Sequence, residues 1–265
     1  MTTMALPVAG SARLVANEAV KGLQLAWRRR GLAVTFVVAN GISFLGFRLL
    51  VGGGHMVPSL LAATLPALLA YHVAQTAAMQ GSGGIAEEIN GGTLAQSQLT
   101  PASPQRQVLG RLAALALEGL LGAVALALVF VLGYGVHYHL RPDSLVPAVL
   151  TVLDGLGYAL LIIALTVRVP SIGAITHVFG MAIGFFGGMV VPVTVFPHAM
   201  YTLVRFLPTT LGVQAMNTTL AGRGLSAAWG DGTLPWLMLH AAVSLALGWV
   251  LYARTIRRAR REGGL

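Results

Sequence analysis

The run VLGRLAALALEGLLGAVALALVFVLGY, residues 108–134, carries only Arg111 and Glu118 as charged side chains. About 20 mostly apolar residues suffice to cross about 30 Å of hydrocarbon, and this run exceeds that. It is continuous rather than alternating, so it reads as a helix and not as a barrel strand. Working outward, residues 31–50, 57–79, 145–167, 172–191 and 234–253 have the same character. Six transmembrane helices are therefore expected, and the fold class is an all-α integral membrane protein. The whole composition agrees. The chain has 265 residues, 56% hydrophobic and 9% charged, with mean hydropathy +0.77. Soluble domains are about 25% charged, so a soluble enzyme, a disordered chain and a fibrous protein are excluded. The absence of cysteine excludes disulfides, zinc knuckles, iron–sulfur clusters and thiol nucleophiles.

The net charge of +9 is unevenly placed. With the N-terminus inside, the inner segments hold Arg13, Lys21, Arg28, Arg29, Arg30, Arg106, Arg111, Arg168, Arg254, Arg257, Arg258, Arg260 and Arg261. The outer segments hold Arg48, Arg141, Arg205 and Arg223. Positive charge favours the inner side, so both termini are expected in the cytoplasm of a multi-pass cell-membrane protein. Basicity of this kind needs no nucleic acid partner. Residues 1–30 lack a continuous apolar core and end in Arg28-Arg29-Arg30, unlike a signal peptide. In them, Val8, Ala12, Val15, Ala19, Leu23 and Ala26 share one helical face. Arg13, Asn17, Lys21, Gln24 and Arg28 share the other. An interfacial amphipathic helix in contact with membrane lipid is expected, with Trp27 at the headgroup layer. A basic tail, 254–265, should follow the last span.

The inner loop 81–106 and the start of span three read GSGGIAEEINGGTLAQSQLTPASPQRQVLGR, residues 81–111. Gly81, Gly83 and Gly84 are expected to loosen the end of span two. Thr93 is a candidate N-cap for a short helix over 94–99. Pro101 should stop it, and Ser103 with Pro104 should open span three. Two caps and two stops exceed what a connector needs, which points to a docking element for a cytoplasmic partner. On the outer side, residues 192–215 contain Pro192, Pro197 and Pro208. Prolines so close together cannot sustain a lipid-facing helix. Broken backbone at membrane depth is tolerated only inside protein or against water. A re-entrant hairpin between spans five and six is therefore expected.

These two segments carry a resemblance. Glu88-Ile-Asn-Gly-Gly-Thr93-Leu94, then Leu99-Thr100-Pro101, then Gly110-Arg111, resembles the loop of ABC type-2 permeases of the daunorubicin-resistance-like exporters. The spacing of Pro192, Phe196, Pro197 and Pro208 is similar to the proline pattern that follows the fifth span in that family. Here Leu207 stands where Asn or Asp is usual and Asn217 where Arg is usual. The resemblance implies a permease subunit of an ATP-driven exporter of drugs, antibiotics or lipids; the excess of arginine over lysine and the abundance of alanine and glycine suit a GC-rich genome, so a bacterial inner membrane is expected. The resemblance also implies that Glu87, Glu88, Thr93, Leu94, Leu99 and Pro101 couple to an ATPase subunit, present in two copies. It implies a second permease, identical or homologous. It also implies that spans two and five line the substrate path. Tyr71, His72 and Gln75 on span two, Thr176 and His177 on span five, and Asn40 and Ser43 on span one are then candidate contacts. Internal hydrogen bonding is the alternative for each.

What remains is negative or local. The one lysine, Lys21, is not in a phosphate-binding loop, so no nucleotide cofactor is expected on this chain. ATP and magnesium would belong to the partner, and the chain itself would not be an enzyme. Seven histidines show no HExxH and no paired ligand spacing, so no metal is expected. Glu118 and Asp154 lie inside spans three and four, where charge is costly. They read either as interhelical locks or as the relay of a proton-coupled secondary transporter, the alternative function. Gly180, Gly184 and Gly188 fall on one stripe of span five and should let a neighbouring helix approach.

Overall fold

The computed structural model describes residues 8–93, 104–169 and 172–261. Among them are ten α-helices and no strand: α1 (Val8–Arg28), α2 (Arg30–Val51), α3 (Pro58–Asn90), α4 (Pro104–Tyr134), α5 (Leu145–Thr166), α6 (Gly173–Phe186), α7 (His198–Val204), α8 (Thr210–Leu220), α9 (Gly224–Gly230) and α10 (Thr233–Arg261). Five of these, α2, α3, α4, α5 and α10, are long and apolar enough to cross a membrane. The protein is an all-α integral membrane protein.

Residue pairings fix the direction of each helix. Arg48 meets Thr64 and Asn40 meets His72, so α2 and α3 are antiparallel. Gly119 abuts Val73 and Gly122 abuts His72, so α4 opposes α3 as well. Gly180 abuts Gln75 and Gly184 abuts Tyr71, so α6 does the same. Gly155 abuts Ala74 and Gly81 abuts Ile163, which makes α5 parallel to α3. Gly157 against Ser244 and Leu160 against Gly248 make α10 parallel to α5. Direction thus alternates along α2, α3, α4, α5, α6 and α10. The start of α2 and the end of α10 lie at one end of the bundle, which also holds Arg29 and Arg111. We call it the basic end.

The centre is built from small residues. Ala74, Ala77 and Ala78 of α3 are buried against Ala159, Leu160 and Ile163 of α5. A Cβ on Gly81 would lie 2.5 Å from Ile163 Cδ1, so glycine there permits close approach. This corrects the expectation that the glycines at 81, 83 and 84 loosen span two. The helix continues through them to Asn90, and the loop expected to begin at 81 begins at Gly91. Toward the opposite end, Phe44, Leu61, Leu65 and Leu68 pack with Phe130, whose ring meets Phe44 edge-on at 5.0 Å. Helix α2 touches the bundle along little of its surface, and Leu32, Val34, Val38, Ile42 and Leu50 are exposed. At the basic end α10 runs on to Arg261, so most of the expected tail is helical. Helix α1 lies against the start of α4, where Gly110 faces Val15 and Glu18.

Span five departs furthest from expectation. It was expected over 172–191, but α6 has 14 residues and ends at Phe186. At 1.5 Å per residue it rises about 21 Å, short of the hydrocarbon thickness. Gly187 caps it and Gly188 has φ +103°, a conformation that ends a helix and favours glycine. Gly188 thus favours the end of the helix and still continues the stripe, since a Cβ there would lie 3.6 Å from Ala67 of α3. Gly180 and Gly184 also pack on α3. The chain then runs through a 3-10 turn (Val193–Val195), α7 and α8. Each proline sits where it costs no helical hydrogen bond. Pro192 precedes the 3-10 turn, Pro197 precedes α7, and Pro208 lies in the turn before α8. Helix α8 is buried among α3, α5 and α10 and continues past the expected limit, 215, to Leu220.

Candidate functional site

At the basic end, Glu87 and Glu88 tie three elements together. Glu87 pairs with Arg29, between α1 and α2. Glu88 pairs with Arg111, near the start of α4. Both acids sit on the last turn of α3, so the segment that follows leaves from an anchored helix end. Thr93 Oγ1 donates to Glu88 O at 3.4 Å. Leu94, Leu99 and Pro101 lie outside the described residues, as does the expected helix over 94–99. Pro104 is the first described residue of α4, and Ser103, its expected cap, lies outside the described residues.

The candidate path residues divide. Asn40 Nδ2 lies 3.0 Å from His72 Nδ1, and Phe36 tilts over the His72 ring at 5.6 Å. Gln75 is buried with Gly180 directly against its amide, and its Oε1 has no hydrogen-bond partner among the described residues. Tyr71 faces Gly184. Thr176 is buried and donates to Ile172 O at 3.2 Å, a helix-internal bond. Ser43 and His177 are exposed on the outer surface of the single chain. The structure thus brings Tyr71, Gln75 and the α6 glycines into one seam, and Asn40 and His72 into another.

The opposite end holds two arrangements, one around Arg48, which composition and spacing did not single out, and one around Asp154, whose partners they did not name. Arg48 is 1% exposed. Its Nη1 donates to Thr64 Oγ1 at 3.1 Å, and its Nη2 donates to Met189 O at 2.9 Å and also to Val190 O. Those carbonyls belong to the non-helical chain just after α6, where no helical partner exists for them. A buried cation there supplies donors and complements the helix dipole. The available sign was an arginine inside an otherwise apolar span, which had been counted only as an outer-loop charge.

Asp154 is also 1% exposed. Thr209 N donates to Oδ2 at 2.8 Å, and Ser244 Oγ donates to Oδ1 at 3.1 Å. His240 Nδ1 lies 2.7 Å from Oδ1, and its Nε2 lies 3.2 Å from Phe206 O. Both ring nitrogens thus face acceptors, so an imidazolium satisfies both and a neutral ring only one. The carboxylate joins α5, α10 and the turn before α8, an interhelical lock. Thr209 has φ +70°, rare for a residue with a branched side chain, and its N–H is held there by Asp154. His240 and Ser244 lie four apart on one face of α10. Glu118 is no such lock: it accepts no hydrogen bond among the described residues. In the loop after α4, Tyr138 donates to Ala62 O at 2.8 Å, and burial pushes its phenol pKa up.

A bundle with alternating spans, one half-length helix and a broken segment folded back into the protein defines a multi-pass membrane protein of transporter type. Residues 55–250 match the family model described as ABC-2 family transporter protein, and the chain belongs to that family. It is a membrane permease of the ABC transporter class, a transport subunit and not itself an enzyme; such permeases normally work with an ATPase partner. No curated protein matches the chain.

Proposed function

We propose that this chain is the membrane-spanning subunit of an ATP-driven exporter. Two ATPase chains bind its basic end, and a second permease, identical or homologous, completes the path. The observation that carries this reading is the paired anchoring of Glu87 to Arg29 and Glu88 to Arg111. Together they clamp the end of α3 to α1, α2 and α4. A push on the segment 91–103 is then transmitted to three elements at once rather than absorbed in a loose loop. That segment, with Leu94, Leu99 and Pro101, docks on the ATPase. The basic end faces the cytoplasm, from the charge asymmetry. The substrate is amphipathic or hydrophobic, and ATP with magnesium is held on the partner chains.

The proton-coupled alternative would rest on Asp154 and Glu118. Asp154 is engaged by three donors from two elements, α10 and the turn before α8, which supports a structural role for it. Co-purification of a P-loop ATPase from native membranes, followed by transport in proteoliposomes, separates the readings. Export that needs ATP and persists with the proton gradient collapsed supports the proposal. Export that needs the gradient but not ATP refutes it. Leu99→Ala is expected to abolish substrate-stimulated ATPase activity while insertion is retained. Unchanged stimulation would refute the docking role.

A further inference from the structure

A groove of about 610 Å³ lies on the flank of the bundle among α1, α2, α3 and α4. Its walls are apolar, from Val34 and Val37 of α2 and Leu117, Leu121 and Ala125 of α4. Two of its lining residues are charged, Arg30 and Glu118. Arg30 lies over the Trp27 ring at 5.4 Å, and Trp27 lines the same end. Gln80 of α3 joins them there. Farther in, toward Val37 and Ala125, the groove ends at His72, which Asn40 holds. The groove therefore has a polar end, at the level of the α1–α2 junction, and an apolar end. From Arg30 to Val37 the wall extends about 10 Å, room for the upper part of an acyl chain.

Glu118 makes this end unusual. It is half-buried between Leu117 and Leu121 and accepts no hydrogen bond among the described residues. Arg29 acts on it electrostatically but is already paired with Glu87. A carboxyl in apolar surroundings either keeps its proton or, when ionised, is stabilised by a counter-cation, best by one that donates hydrogen bonds. Arg30 is the complementary partner for an anion at the same end. The groove as a whole is neutral, so it matches a zwitterion. A net anionic lipid would place its charge against Glu118. A trimethylammonium headgroup offers that carboxylate no N–H donor.

We propose that this groove binds a phospholipid whose headgroup carries a phosphate and a primary ammonium, the phosphate on Arg30 and the ammonium on Glu118, with the acyl chain against α2 and α4. The site rests on the membrane-spanning fold, and neither ATP coupling nor transport direction enters it. The probes are phosphatidylethanolamine, phosphatidylcholine and phosphatidylglycerol with identical acyl chains. Each is titrated onto the delipidated full chain in detergent, and bound lipid is counted by native mass spectrometry. Phosphatidylethanolamine is expected to bind at least about fivefold more tightly than the other two, the scale of one charge-assisted contact. Glu118→Gln should remove the phosphatidylethanolamine preference, lowering binding of that lipid more than that of phosphatidylcholine, whose ammonium loses only an attraction without a hydrogen bond. Ala125→Phe, which fills the apolar end and leaves both charges in place, should weaken phosphatidylethanolamine binding as well. Equal binding of the three lipids, tightest binding of phosphatidylglycerol, or a phosphatidylethanolamine preference that survives Glu118→Gln or Ala125→Phe would each overturn the assignment.

Discussion

Asp154 is where a single substitution says most about this molecule. Its Oδ1 receives His240 and Ser244, and its Oδ2 receives the Thr209 N–H. Interhelical hydrogen bonds in membranes average about 0.6 kcal/mol and reach about 1.7, so losing three in Asp154→Ala should cost roughly 2–5 kcal/mol. Asp154→Asn is not innocent either. An amide that keeps its oxygen on Thr209 N turns its NH₂ toward His240 Nδ1 and Ser244 Oγ. A neutral His240 accepts there while its Nε2–H donates to Phe206 O, and Ser244 Oγ donates to Ala241 O instead, so the variant loses only the charge-assisted share, about 1 kcal/mol. The strained turn supplies an internal control. Thr209→Gly removes the side-chain penalty at φ +70°, and in the Asp154→Asn background it should restore part of the loss. The assay is reversible unfolding of the purified chain in mixed micelles, followed by helicity. A double-mutant cycle of Asp154→Ala with His240→Ala should return a coupling of at least about 1 kcal/mol, as expected for groups in contact. An Asp154→Ala variant within about 0.5 kcal/mol of the parent, or strict additivity with His240→Ala, would refute the lock.

Other substitutions probe different joints. Arg48→Ala should destabilise the chain by roughly 2–4 kcal/mol in the same assay, because charge-assisted bonds to the carbonyls after α6 disappear; Arg48→Lys should recover only part, having lost the fork. Gly122→Ala would place a Cβ 2.1 Å from His72 Nε2, so it should expel that ring from its contact with Asn40 and cost about 1–3 kcal/mol by overpacking. Tyr138 has a phenol pKa raised by burial, so the stability it contributes is fully present below the ordinary value of about 10 and declines as pH rises above it, the unfolded chain ionising first while the folded phenol keeps its proton and its bond to Ala62 O. Thermal stability should therefore fall more steeply with pH above about 10 in the parent than in Tyr138→Phe. A parallel pH dependence in the two would count against the buried donor.

The spans themselves were legible because lipid imposes one rule on every residue of a crossing helix. A run such as 108–134 satisfies it without regard to its neighbours. The placing of Pro192, Pro197 and Pro208 just before helices or in the turn before one followed from proline's missing N–H, again a local property. Glycine was misread at 81 because its two uses look alike in a sequence. Gly81 admits a neighbour inside a helix, whereas Gly188 at positive φ sits past the end of one and still meets α3. Only the helix facing each of them distinguishes the cases.

From the sequence alone came the membrane class, the number and alternation of the apolar segments, the charge asymmetry and the two motifs that resemble ABC type-2 permeases. These depend on composition and on contacts between near neighbours in the chain. The tertiary structure alone decided that span five is half-length, that Arg48 covers its open end, that Asp154 meets His240, Ser244 and Thr209, and that Glu118 is left facing a groove. Each of those depends on which helix faces which and at what depth. An arginine or a carboxylate inside an apolar run announces that a partner is needed, but the partner can be 90 residues away, as Ser244 is from Asp154. Hydrophobic periodicity is blind to that choice, because every apolar face suits lipid as well as protein. Close packing of small residues and pairing of buried polar groups make the choice, and both exist only once the helices are side by side.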